Sequence, residues 1–148
     1  LASAPEGYLF PDTYFIPITA TASSTIELLT ENFDRKTKGL KISEEIIIMA
    51  SLLEGEAKLK EEREVASGIL WKRLKIGMPL QVDIERKTYE FPGLPEKPIN
   101  NPGLVSIEAA LDPTVSPYLY FLTDTTGKMH YARTFDEPKA NIAKYLWP

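Results

Sequence analysis

The sequence predicts an α+β fold in one compact domain, residues 1–148, with a helical core and a small antiparallel β-hairpin. Apolar residues recur at helical spacing through the middle of the chain, and alternating segments follow only near its end. The sequence contains no internal repeat. A length of 148 residues, 43% of them hydrophobic, suits a single core.

The N-terminal third predicts an irregular segment followed by one helix. Residues 6–15 are rich in aromatic side chains and contain Pro11, so we expect extended pieces around a turn. Ser24 and Glu27 have the spacing of a capping box. The apolar residues after them predict an amphipathic helix that ends near Gly39.

Two further helices are predicted in the middle of the chain. Ser43 is a suitable N-cap for the first, and residues 46–50 are all apolar, so we expect this helix to be buried on most sides. The second covers about 61–76. Gly77 then suits the C′ position, and Pro79 prevents continuation.

The last half predicts a long loop, a short helix and a hairpin. Segment 78–103 contains five prolines and reads as a stiff loop, and loops of this length in compact domains are usually functional or disordered. A short helix is expected at 106–111. Strands are expected at 118–123 and 128–133, joined by a turn at 124–127. Asp136 is expected to cap a last helix that reaches about Leu146.

Composition restricts the classes of function. The net charge is -4 and the basic residues are scattered, which argues against a nucleic-acid partner. The chain has no cysteine and one histidine, so we predict no metal site and no cofactor. No apolar run approaches the roughly 18 residues of a membrane span. Because the chain begins at Leu1 without Met, we expect an excised domain, and a membrane anchor could lie outside it.

Two carboxylates lie at the end of the predicted apolar helix that begins after Ser43, and they are the main candidates for chemistry. At about 100° per residue, Glu54 and Glu56 point roughly 200° apart, so they cannot form a dyad on one face. Each has apolar neighbours, and periodicity does not choose between them. One interpretation is a structural ion pair with Arg63 or Arg73. The other is a general acid whose pKa is raised by burial.

Several polar and aromatic side chains are candidates for binding a polyhydroxylated ligand. Gln81 and Asp83 would point the same way in an extended segment, and Tyr89, Asn100 and Asn101 could add hydrogen bonds. Ordinary capping of a loop is the alternative for each of them. Further candidates on the hairpin and in the N-terminal segment, where packing is the alternative role, are His130, Tyr8, Tyr14, Tyr118 and Tyr120.

Motifs along nearly the whole chain resemble one family. They stand in the family's order at Glu6–Tyr14, Met49–Glu56, Glu62–Arg63, Arg73–Asp83, Gly93–Pro95, Pro98–Ile99, Asn101–Gly103, Ala109–Pro113 and Tyr118–Phe121. Each motif is weak alone, but their order is specific. The chain resembles the catalytic domain of the MltG (YceG-like) endolytic murein transglycosylases.

The resemblance implies a bacterial cell-envelope enzyme that cuts nascent peptidoglycan strands internally, at the extracytoplasmic face of the membrane. It implies that Glu56 is the catalytic residue, with Gln81, Asp83, Asn101 and His130 at groove positions. One carboxylate would serve as acid and then as base while the muramic C6 hydroxyl attacks C1. Family members also carry an anchor and a LysM-like region before this domain, and cell-wall synthesis proteins are expected partners.

The sequence departs from the family pattern after Asp83. Family members usually have Pro-Thr there and a much longer lobe before the tyrosine, whereas residues 84–88 join Asp83 directly to Tyr89 here. Glu96-Lys97 also replaces a more usual Pro-Gly. A shorter lobe would open one wall of the groove. Two rival functions stay open: a glycan-binding or scaffolding domain without activity, and a true hydrolase in which Asp83 positions water.

Overall fold

A computed structural model describes residues 5–134 and 144–145 of the chain. These residues form one α+β unit, which confirms the predicted fold class. Its elements are α1 (Ala22–Lys36), α2 (Glu44–Glu56), α3 (Lys60–Lys75), α4 (Lys87–Glu90), α5 (Leu104–Leu111), β1 (Tyr120–Thr123) and β2 (Met129–Ala132). The two strands form an antiparallel sheet in which Leu122 pairs with His130.

Helix α2 is the centre of the core, as its apolar run predicts. Seven consecutive residues, Ile47–Leu53, are buried, so the helix is covered on all sides along two turns. It packs against α5 and α3. The loop after α3 adds Leu80 and Val82 to the same core, and β2 adds Met129. The C-terminal end of α2 is thereby fixed between the loop and the hairpin.

The helix caps agree with the sequence at α2 and differ at α1. Ser43 caps α2, where its hydroxyl oxygen accepts from the backbone N–H of Ile46. The capping box of α1 is formed by Thr21 and Ser24, each side chain accepting from the other's backbone N–H. The predicted box of Ser24 and Glu27 is therefore wrong by one turn, because a serine hydroxyl at the third helical position takes the role expected of the glutamate.

Helix α3 ends as predicted, at Gly77. This residue has a φ of 70°, a left-handed conformation that glycine adopts without strain. The N–H of Met78 donates to the carbonyl of Arg73, and the N–H of Gly77 donates to that of Leu74. This Schellman arrangement satisfies the last carbonyls of the helix and turns the chain back towards the end of α2.

Segment 78–103 is irregular apart from α4, a single helical turn that the loop prediction missed. Thr88 holds this turn: its hydroxyl donates to the carbonyl of Glu85 and accepts from the N–H of Val82. Both strands of the hairpin are shorter than predicted. The helix expected after Asp136 lies outside the described residues, apart from Lys144 and Tyr145, which are helical. In the described ranges, no helix is long and apolar enough to cross a membrane.

Candidate active site

The C-terminal end of α2, the loop after α3 and the hairpin enclose a cleft of about 1010 Å³. Six of the twelve residues singled out in the sequence line it: Glu54, Glu56, Gln81, Asp83, Tyr89 and Tyr120. The cleft is therefore built from three segments that are far apart in the chain, and both carboxylates of the Glu-x-Glu pair border it.

Glu56 is the last residue of α2, and its carboxyl group faces the cleft. Its Oε1 accepts a hydrogen bond from the backbone N–H of Ile84 across 3.3 Å. Burial raises the pKa of Glu56, and the negative charge of Asp83 acts in the same direction, whereas the Ile84 hydrogen bond opposes them. The carboxyl group therefore stays protonated to a higher pH than a free glutamate, as a general acid requires.

In contrast to Glu56, both carboxylate oxygens of Glu54 contact groups that hold the fold together. Its Oε2 accepts from the N–H of Gly103 across 2.9 Å and from the hydroxyl of Ser106 across 2.7 Å, at the start of α5. Its Oε1 lies 3.4 Å from Nη2 of Arg63. The ion pair that the sequence suggested with Arg63 thus exists, and it belongs to Glu54. The ion-pair interpretation therefore applies to Glu54, and Glu56 is left as the candidate for a general acid.

Gly55, between them, allows the loop to approach the helix. A Cβ at this position would lie 2.0 Å from Cδ1 of Ile84, so any larger residue would displace the Ile84 side chain. The same Ile84 gives its N–H to Glu56. The glycine therefore lets the loop reach the carboxyl group of Glu56.

Gln81 and Asp83 face the cleft on either side of the buried Val82. The backbone there is not an extended strand, because Gln81 has a positive φ of 54°. No other non-glycine residue in the described part of the chain has a positive φ. Such conformations cost of order 1–3 kcal/mol and concentrate at functional sites. The Tyr89 hydroxyl donates a hydrogen bond to Oδ1 of Asp83. Burial, then the Asp83 hydrogen bond, raises the pKa of Tyr89 to about 12, so this hydroxyl remains a donor.

Arg73 is a site residue whose position the sequence reasoning missed. Its guanidinium is buried and donates to the carbonyls of Leu80 and Leu119, each across 2.7 Å. It also lies 4.9 Å from the ring centroid of Tyr120. Arg73 therefore joins the Gln81 loop to the hairpin. Its position three residues after Leu70 places it on the apolar stripe of α3, which is the signal that could have revealed it.

His130 does not line the cleft but contacts a residue that does. Its Nε2 lies 2.7 Å from Oδ2 of Asp124, and the ring stacks on Tyr145 with centroids 3.6 Å apart. Hydrogen bonds from Thr126 and then from His130 lower the pKa of Asp124. His130 thus supports the turn of the hairpin, which forms one wall of the cleft.

Asn101 also lies outside the cleft lining. Its Oδ1 accepts from the N–H of Gly7 across 2.7 Å and from that of Leu9 across 3.0 Å, and so holds the N-terminal segment against the domain. The neighbouring amide of Asn100 donates to the carbonyl of Ser51. These contacts are the structural alternative that the sequence left open for both residues, and they occupy the acceptor of Asn101 that a ligand would use.

The tyrosines divide in the same way. Tyr120 borders the cleft, whereas the other three candidates make packing or local contacts. Tyr8 packs edge-on against Phe33, Tyr14 donates to the carbonyl of Phe10, and Tyr118 stacks on Tyr131. Among the described residues, no group of three or more His, Asp or Glu side chains is arranged to hold a metal ion.

The fold of this domain is similar to that of a protein of known structure. A crystal structure of a YceG-like protein from Listeria monocytogenes matches with a TM-score of 0.79 and 31% identity, over 90% of this chain and 54% of that one. The model of the YceG-like family matches residues 1–86 and 87–144. The chain belongs to the YceG-like family.

Curated relatives carry a functional name. An endolytic murein transglycosylase of Streptococcus pneumoniae is 30% identical over 178 residues, covering 95% of this chain and 32% of that protein. One of Bacillus subtilis is 32% identical over 174 residues, covering 95% and 48%. This chain therefore spans less than half the length of these relatives.

The comparisons also bear on the short segment after Asp83. The alignments run over 178 and 174 residues, more than the 148 residues of this chain, so the relatives contain residues without a counterpart here. The two matched segments of the family model meet between Arg86 and Lys87. This junction lies within the segment that the sequence analysis expected to be shortened.

Proposed function

We propose that this domain is an endolytic lytic transglycosylase that cleaves peptidoglycan strands, with Glu56 as its acid and base. One observation supports this above all. The carboxyl group of Glu56 borders an open cleft, and burial raises its pKa, while its neighbour Glu54 is held by α5 and Arg63. The names of the curated relatives point to the same substrate class.

In the proposed reaction, protonated Glu56 donates its proton to the glycosidic oxygen between N-acetylmuramic acid and N-acetylglucosamine. The bond from C1 to this oxygen breaks through an oxocarbenium-like transition state. The C6 hydroxyl of the muramic ring then attacks C1 and returns its proton to Glu56, which leaves a 1,6-anhydro end. Glycosidases with two catalytic carboxylates must provide or activate an external nucleophile. Here the substrate supplies the nucleophile, so one carboxylate is sufficient.

The remaining predicted binding residues differ in how directly they would act. Gln81, Asp83, Tyr89 and Tyr120 line the cleft and would donate or accept hydrogen bonds with sugar hydroxyls. His130 would act through Asp124. Asn101 would act only by holding the N-terminal segment, because its oxygen is already engaged.

With this function, the domain would act in the bacterial cell envelope, at the extracytoplasmic face of the membrane where glycan strands are assembled. Its partners would be glycan strands and the proteins that synthesise them. The acidic net charge of -4 agrees with a neutral or zwitterionic ligand better than with a polyanion.

A hydrolase is the second candidate, and one observation favours it. Asp83 lines the same cleft as Glu56, and its charge contributes to the raised pKa of Glu56. A carboxylate at that position could orient a water molecule towards C1, as the second carboxylate of inverting glycosidases does. The product would then be a reducing end instead of an anhydro end.

Digestion of purified glycan strands, followed by mass spectrometry of the ends, separates these functions. Anhydro-muramic ends support the transglycosylase, and reducing ends support the hydrolase. Binding of strands without any cleavage supports a glycan-binding domain and contradicts both enzymes.

Glu56→Gln tests the catalytic assignment directly. Because general acid catalysis contributes roughly 10²–10⁴-fold, we expect kcat to fall by at least about 100-fold. Glu108→Gln is the matched control, since Glu108 is exposed on α5 and should leave turnover unchanged. Unchanged turnover in Glu56→Gln would overturn the assignment.

A further inference from the structure

A second cavity, of about 520 Å³, lies beside the proposed active site and has no role in the chemistry above. Its wall comes largely from the proline-rich segment 91–99, with Phe91 and Leu94 among its apolar members. Charged side chains of both signs also line it: Glu6, Glu85, Glu96, Lys87 and Lys97.

The two cavities share one residue. Ile84 lies in the wall of the cleft and in the wall of the second cavity. Its backbone N–H is the group that hydrogen-bonds to Glu56. The residue that hydrogen-bonds to the proposed catalytic carboxyl group therefore also lines the second cavity. A substituent on a sugar that is bound in the cleft at Glu56 could enter this cavity.

Two apolar side chains in the wall of the second cavity are exposed. Ile84 is 44% exposed and Phe91 is 65% exposed, although both are large hydrophobic residues. The relatives contain additional residues, and the two matched segments of the family model meet at residues 86 and 87, between these two side chains. Ile84 and Phe91 thus present exposed apolar surface in the wall of the second cavity.

We propose that the second cavity binds the short peptide carried by the muramic acid ring whose glycosidic bond lies at Glu56. This inference rests on the proposed function. Such a peptide is attached through the lactyl ether of that ring and contains alanine methyl groups, carboxylates and a diamino acid. Phe91 and Leu94 present apolar surface to the methyl groups.

The charges at the rim fit the same ligand. The ammonium groups of Lys87 and Lys97 have no salt bridge to any described residue, so they are available for the peptide carboxylates. Glu6 and Glu96 can receive the amine of the diamino acid. A rim of mixed charge suits a zwitterionic peptide, whereas a purely anionic ligand would meet three carboxylates at this site.

Binding of soluble fragments tests the inference without turnover. The probes are the disaccharide of N-acetylglucosamine linked to N-acetylmuramic acid that carries its peptide, and the same disaccharide after an amidase has removed the peptide. Neither contains the scissile bond. Titration calorimetry on the unmodified protein should show that the peptide-bearing form binds about tenfold more tightly.

Phe91→Ala should weaken binding of the peptide-bearing disaccharide about fivefold, because it removes apolar contact surface, and leave the stripped form unchanged. Phe15→Ala is the matched control, since Phe15 is 97% exposed and lines neither cavity. Equal affinity for the two disaccharides would overturn the inference, as would equal losses for both in Phe91→Ala.

The strand digestion separates this result from the proposed function. Cleavage of strands together with equal disaccharide affinities would refute the peptide site alone. A preference for the peptide that depends on Phe91, without strand cleavage, would support the peptide site and refute the enzyme.

Discussion

The backbone N–H of Ile84 donates to Glu56 Oε1 across 3.3 Å, although the two residues are 28 positions apart. The contact exists because Gly55, which precedes Glu56, has no Cβ to hold the Ile84 side chain away. The position of one loop thus determines the surroundings of the proposed catalytic carboxyl group.

Gly55→Ala should lower kcat/KM by about tenfold or more, because small misplacements in an active site are costly. The new Cβ would lie 2.0 Å from Cδ1 of Ile84, and the half-exposed side chain would have to move and carry its N–H away from Glu56. Stability should change little, since alanine gains ~1 kcal/mol of helix propensity over glycine. Steady-state kinetics on glycan strands and urea unfolding measure the two effects.

The double variant Gly55→Ala/Ile84→Ala is the control for this prediction. It removes Cδ1 and should restore part of the lost activity, which a double-mutant cycle would report as coupling between the two positions. Additive losses would show that the close approach of Ile84 does not govern the site.

Glu56→Gln should stabilise the domain at alkaline pH and not at acid pH. Burial raises the pKa of Glu56 above its value in the unfolded chain, so folding favours the protonated form. The wild-type protein therefore loses stability as the pH rises through the folded pKa, whereas glutamine cannot ionise. Thermal unfolding of both proteins at about pH 4 and about pH 8 should show a Tm difference only at the higher pH. A Tm difference of the same size at both pH values would contradict the raised pKa of Glu56.

Glu54→Ala should destabilise the domain by about 1–3 kcal/mol, since it leaves the N–H of Gly103 and the hydroxyl of Ser106 without their acceptor. It also removes the ion pair with Arg63. Urea unfolding measures this loss, and Glu108→Ala, on the exposed face of α5, is the control. A free energy of unfolding equal to that of the control variant would rule out the structural role of Glu54.

Local signals predicted most of the fold. Helix α2 begins directly after its predicted cap, Ser43, and α3 begins and ends within one residue of its predicted bounds. Apolar periodicity, the Ser43 cap and the Gly77 stop all lie within a few residues of the backbone that they fix. The start of α1 was missed by one turn because Thr21 with Ser24 satisfies the same local pattern as Ser24 with Glu27. A single turn such as α4 is too short for periodicity to reveal.

The choice between Glu54 and Glu56 could not come from periodicity, because it depends on distant contacts. The Glu54 partner Gly103 is 49 positions away, and the Glu56 partner Ile84 is 28 positions away. The order of the family motifs favoured Glu56, but it did not reveal what fixes either carboxylate. The contacts of two other residues also depend on distant segments and could not be predicted from periodicity. Asn101 accepts hydrogen bonds from the N-terminal segment, and Arg73 joins the Gln81 loop to the hairpin.

Arg73→Lys should lower both stability and activity. The guanidinium donates to Leu119 and Leu80 from one rigid plane, and an ammonium on a lysine chain cannot reproduce that geometry. We expect a loss of about 1–3 kcal/mol in the free energy of unfolding, because buried carbonyls lose a donor. We also expect a raised KM, since the Gln81 loop and Tyr120 would lose their common anchor. Arg35→Lys, an exposed position on α1, is the matched control. Urea unfolding and strand kinetics test both effects, and a KM equal to that of the control variant would show that Arg73 supports the fold without positioning the cleft.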